Sequence, residues 1–85
     1  MKSELALFKL AKEMAFIEDE LRDCYNVMVK EELKEEARRI RKVLLEKNYD
    51  VNTFLHYKDL YKTMTVEEYI EFVRLLKKMD GREEK

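Results

Sequence analysis

The residues best suited to chemistry in this 85-residue chain lie between Cys24 and His56. Glu31, Glu32 and Glu35 form a Glu-Glu-x-x-Glu string. On a helix this places carboxylates one turn apart, an arrangement that can hold Mg²⁺ through oxygen ligands. Arg38, Arg39, Arg41 and Lys42 follow as a compact basic segment that could lie along phosphates. Cys24 is the only cysteine and His56 the only histidine, so neither an internal disulfide nor a structural zinc site can be assembled from them. No serine or cysteine partner stands near His56 to suggest a nucleophilic triad.

Each group has a plainer reading beside the chemical one. The acidic string resembles, over five residues, the string carried by all-α nucleoside triphosphate pyrophosphatases. That resemblance would imply a metal-dependent all-α phosphohydrolase. The second acidic pair such a site needs is not evident, because His56-Tyr57-Lys58-Asp59 offers one acid and a cation. With nineteen Asp and Glu in the chain, such a string is expected by chance. Glu31, Glu35 and Glu36 also precede Lys34, Arg38 and Arg39 at three- and four-residue spacing, which supports a solvated helix through side-chain pairs. Cys24 falls at an apolar position and reads as a small core residue. The sequence therefore assigns no catalytic residue, no metal ligand and no cofactor.

The elements that position these residues are helical throughout. There is no proline, and Gly81 is the only glycine. Leu7, Met14, Leu21 and Met28 fall on one heptad position, with Leu10, Ile17 and Cys24 on the other. That spacing lines seven apolar side chains along one seam. With Ser3 as N-cap, it predicts one continuous helix over about residues 4–47. The softest point is Asn26, and a break near it would give two helices instead.

Asn48 to Asn52 read as the first real turn, with Asn48 suited to a left-handed C-cap. A short helix over about 51–62 follows, with Phe54, Tyr57, Leu60, Tyr61 and Met64 on one face. Thr65 and Glu68 form a capping box for a last helix over about 66–80. Its inward stripe is expected to be Val66, Tyr69, Ile70, Val73 and Leu76, and Gly81 to stop it, leaving 82–85 as a frayed tail.

This predicts an all-α single domain spanning 1–85. A helix of about 44 residues would be roughly 65 Å long, too long for two short helices to cover. The favoured architecture is accordingly a homodimeric helical bundle with Leu7, Leu10, Met14, Ile17, Leu21, Cys24 and Met28 at the interface. The alternative is a monomeric four-helix bundle broken near Asn26.

A net charge of −1 gives no global pull toward nucleic acid or anionic lipid. No apolar run approaches the ~20 residues that span a bilayer, and a lone thiol fits a reducing cytoplasm. A 44% charged composition without glutamine or tryptophan follows the trend of thermophile proteins. Phe72, Leu75 and Met79 make a second apolar track on the last helix, and a helix with two apolar faces is buried on both or binds something. The expected function is a non-catalytic interaction module, an adaptor, regulator or inhibitor of another protein, working as a dimer. The alternatives are a nucleic-acid-associated regulator using residues 38–42 and the metal-dependent phosphohydrolase.

Overall fold

A computed structural model describes residues 3–83, with side chains described as far as Gly81. The described residues form four helices and no strands: α1 (Glu4–Asp23), α2 (Val27–Glu46), α3 (Val51–Thr63) and α4 (Val66–Glu83).

The expected continuous helix over 4–47 is not present, because the chain breaks at residues 24–26. Cys24 and Asn26 both take extended backbone, φ −92° and ψ 125° at the first, φ −86° and ψ 119° at the second. Asn26 is the cause. Its side-chain oxygen accepts from the amides of Met28 at 2.9 Å and Val29 at 3.3 Å, so it caps α2 rather than continuing α1. The break needs neither glycine nor proline.

Folding back at Asn26 changes what covers the heptad seam. Leu7, Met14 and Ile17, with Ala11, are buried against Ala37, Ile40 and Leu44 of α2 and Phe54 of α3, and Leu10 and Leu21 pack at the edge of this cluster. Cys24 is half-buried in the turn, and Met28 is exposed on the next helix. The seam expected between two chains is therefore largely consumed within one.

All three later helices pack chiefly on α1. The path of α3 follows from its polar contacts. Tyr57 donates to Glu4 at 2.8 Å, while the next residue, Lys58, pairs with Glu18 at 2.9 Å. Glu4 and Glu18 stand about 21 Å apart along α1, so α3 lies across the middle of that helix. Ala11 and Ala15 permit the close approach, and both are buried. On the other side Phe8, fully buried, is surrounded by the rings of Tyr57, Tyr61, Tyr69 and Phe72, with centroids 4.9–6.3 Å away. The molecule is flattened as a result, 46 × 31 × 17 Å.

Helix ends follow the local sequence closely, with one exception. Asn48 adopts a left-handed φ of 55°. The amide of Tyr49 bonds the Leu44 carbonyl at 2.9 Å and that of Asn48 the Leu45 carbonyl at 3.2 Å, a Schellman closure of α2. Thr65 and Glu68 make both bonds of the capping box, at 2.9 and 3.1 Å. The exception is Gly81, which does not stop α4. No glycine takes a positive φ, and the helix runs through to Glu83. Residues 82–83 of the expected tail are thus helical, and 84–85 lie outside the described residues.

The role of Asn26 has a test whose sign separates two structures. Within a continuous helix, Asn26→Ala would stabilise, since asparagine is the poorer helix former. As the cap of α2, the same substitution should cost about 1 kcal/mol in urea unfolding with little change in helical content. The packing on α1 predicts that Phe8→Ala costs about 3–5 kcal/mol. For a domain this small, that should be seen as loss of the cooperative thermal transition.

Candidate functional site

Functional side chains come together at several places among the described residues. The first is a polar junction at the start of α1. Ser3 caps the helix by accepting from the Ala6 amide at 3.1 Å and donates its hydroxyl to Asp80 of α4 at 2.5 Å. The same Asp80 carboxylate accepts from the amides of Glu4 at 3.0 Å and Leu5 at 3.3 Å. A carboxylate from the last helix thus satisfies orphan donors of the first, where the helix dipole also favours negative charge. The Ser3 hydroxyl, opposed by burial and aided by those amides, holds the Asp80 carboxyl below its ordinary range. Tyr57 completes the junction by donating to Glu4, and Tyr49 donates to the Ser3 carbonyl at 3.4 Å. Burial first, and the Glu4 carboxylate second, push the Tyr57 hydroxyl up to about 12.

The second is a clamp in which Glu18 receives two lysines, Lys62 at 2.8 Å and Lys58 at 2.9 Å. Burial pulls the Glu18 carboxyl upward, but the two ammonium groups outweigh it and its pKa ends lower than usual. The Lys62 ammonium is correspondingly stabilised by Glu18 against a smaller burial effect. Lys12 makes a related contact on the far side of α3, bonding the Tyr69 hydroxyl at 3.0 Å with its charge 4.9 Å above that ring. All these groups have partners, and the arrangement ties helices together.

The third is a cleft of about 320 Å³ where the end of α2 meets the start of α3. Met14, Leu44 and Phe54 form its floor, and Leu45, Val51 and Leu55 rise beside it with large exposed areas. Glu18, Arg41 and Lys58 stand at its rim. The sequence reading missed it, because its apolar residues come from two helices joined through the Asn48 turn. The exposed positions Leu45 and Val51 on either side of that turn were the only available signal.

The fourth is α4. Tyr69, Phe72, Val73 and Leu76 turn toward α1, with Leu76 fully buried and the Phe72 ring 4.9 Å from Phe8. Val66 and Ile70, expected on the inward stripe, are exposed instead. Phe72 consequently leaves the expected docking track for the aromatic cluster, whereas Leu75 and Met79 remain exposed at 54% and 41%.

Apart from Arg41 at the cleft rim, the chemical candidates lie away from these places. Glu31, Glu32 and Glu35 are exposed on the outer surface of α2, with Glu31 paired to Lys34 at 3.7 Å and Glu35 to Arg38 at 2.9 Å. Arg39 and Arg41 are exposed, as is Lys42, which pairs with Glu46 at 3.9 Å. His56 is exposed with its ring 6.3 Å from Tyr57. The Cys24 thiol donates to the Asn26 carbonyl at 3.4 Å. No group of three or more metal-ligating side chains converges among the described residues, and none of the described helices is long and apolar enough to cross a membrane.

The two carboxylate sites give stability a definite acid dependence. Asp80 and Glu18 have lowered folded pKa values, so their contribution is complete above the unfolded values near 4 and is lost as pH falls through the folded ones. Asp80→Asn should flatten the acid limb of a melting-temperature profile and lower the plateau. The Tyr57 shift has the opposite sense: its contribution is complete below the unfolded value near 10 and is lost as pH rises toward 12. Ultraviolet titration of the folded protein should show Tyr57 ionising late, and Glu4→Gln should move it only part of the way back, because burial is the larger cause.

No family model, curated protein or solved structure matches this chain.

Proposed function

We propose that this protein is a small non-catalytic docking module, an adaptor, regulator or inhibitor of another protein, that works as a homodimer. The observation that supports this reading most is the exposure of large apolar side chains on α4. Val66 and Ile70 are exposed on one flank and Leu75 and Met79 on the other, while Tyr69, Phe72 and Leu76 hold the helix to α1. A helix anchored by one stripe and apolar on both sides of it suits recognition by a groove or a second helix face. Its outermost strip, Glu67, Glu71, Arg74 and Lys78, stays wet, which gives a contact an apolar centre with a polar margin.

The nucleic-acid reading draws on the exposure of Arg38, Arg39, Arg41 and Lys42 together. It is weakened by the carboxylates of Glu35 and Glu46 on two of the four. The aromatic rings that could stack on bases are mostly gathered around Phe8 instead.

Leu75→Ser with Met79→Ser should change stability by no more than about 1 kcal/mol, a few degrees in melting temperature. The same pair should abolish recovery of the binding protein in affinity capture followed by mass spectrometry. Phe72→Ser should instead unfold the domain. A Leu75/Met79 variant that stays folded and captures the same protein undiminished would overturn the docking face. Tight duplex binding with a steep salt slope would promote the nucleic-acid reading.

A further inference from the structure

The outer surface of α2 carries an ordered strip that none of the packing described above uses. Val27 and Leu45 are 18 residues apart, about five turns of helix and about 27 Å. They therefore project from the same side of α2, one near each end, and both are exposed, at 72% and 76%. Between them Glu31, Glu35, Arg38 and Lys42 continue the strip at three- and four-residue steps, all exposed. Read toward the C terminus, the strip runs apolar, acid, acid, base, base, apolar.

A helix so ordered is complementary to itself when turned end for end. A two-fold axis across its middle sets Val27 against Leu45 of a second copy, Glu31 against Lys42 and Glu35 against Arg38, each contact occurring twice. Parallel pairing would set Glu31 beside Glu31 and Lys42 beside Lys42, so charge selects the antiparallel orientation and its register together. We propose that this face of α2 is where two copies of the chain associate, antiparallel, with Val27 of each seated beside Leu45 of the other.

A further observation fits this geometry: the carboxylates are free to be shared. Glu31–Lys34, Glu35–Arg38 and Lys42–Glu46 are one-helix pairs whose side chains are all more than half exposed. Such pairs contribute little on their own, and each carboxylate keeps capacity for a second cation. The neighbouring flank, with Lys30, Lys34 and Arg41, is cationic on both copies. It stays in water, and the pair leans toward the Glu31–Lys42 edge.

This surface is separate from the α4 face, and the proposal rests on the reading of the protein as a homodimer while replacing the heptad seam as its interface. Sedimentation equilibrium of the purified chain at low salt tests it. Wild type is expected to show a dimer that weakens with added salt. Glu31→Lys with Glu35→Lys makes the strip wholly basic, and Arg38→Glu with Lys42→Glu makes it wholly acidic. Each variant alone should self-associate at least tenfold more weakly while keeping its helical circular dichroism, and an equimolar mixture of the two should restore the dimer mass. If a reversed variant loses helicity, Glu31→Gln with Glu35→Gln removes the attraction without adding repulsion and should show the same loss of association in milder form. A wild-type dimer indifferent to these changes, or reversed variants that fail to combine, would overturn this interface and leave the homodimer standing. A monomer at every concentration would overturn both.

Discussion

The burial of three helices on a fourth is the constraint from which the rest of this structure follows. Helix α1 supplies one apolar arc to α2, another to α3 and a third, centred on Phe8, to α3 and α4 together. Its composition makes this feasible, because Ala11 and Ala15 let neighbouring backbones approach while Leu7, Phe8, Met14 and Ile17 fill the space between them. Since the outer helices meet α1 more than one another, the assembly spreads instead of closing into a cylinder. A flat molecule of this size has much surface for its volume. That geometry explains why large apolar residues on α2, α3 and α4 remain in contact with solvent.

Polar contacts compensate where apolar contacts between the outer helices are sparse. Asp80 fastens α4 to the start of α1, Tyr57 fastens α3 to the same end, and the two lysines on Glu18 fasten α3 farther along. All of them end on α1 as well. Because each carboxylate is a partner across helices, these contacts fix the register in which α3 and α4 lie on α1, a selectivity that apolar packing alone supplies less sharply.

Local features were the most legible in the sequence. The Thr65–Glu68 box, the Ser3 cap and the left-handed Asn48 each depend on a few neighbouring residues, and each appears where the spacing put it. Asn26 is a soft point in the sequence, but the usual turn residues are absent there and local pattern alone favours a continuous helix. The break is decided by tertiary gain, for the fold-back gives the seam of Leu7, Met14 and Ile17 an intrachain partner that the isolated pattern could not reveal. Gly81 shows the converse. A residue that commonly ends helices is carried through in a helical conformation beside Asp80, which is bonded to another helix. On α4, too many apolar positions were available for periodicity to choose among them, and only the site of Phe8 decided that Phe72 would be inside and Val66 outside. The order of charges along α2 is open to view in the sequence, where side-chain pairing within a solvated helix is its plainest reading.

The bond from Ser3 to Asp80 joins residues 77 positions apart, so it nearly closes the described chain into a ring. Tension applied between the two ends of that ring would fall on this junction before reaching the aromatic cluster or the α1–α2 core. The molecule should yield by peeling α4 away from its Asp80 end, exposing Leu76 and Phe72 in turn, while the first three helices still hold. The same closure makes the contact entropically remote during folding, so the first helix must complete its N-terminal cap with a residue from almost the far end of the chain.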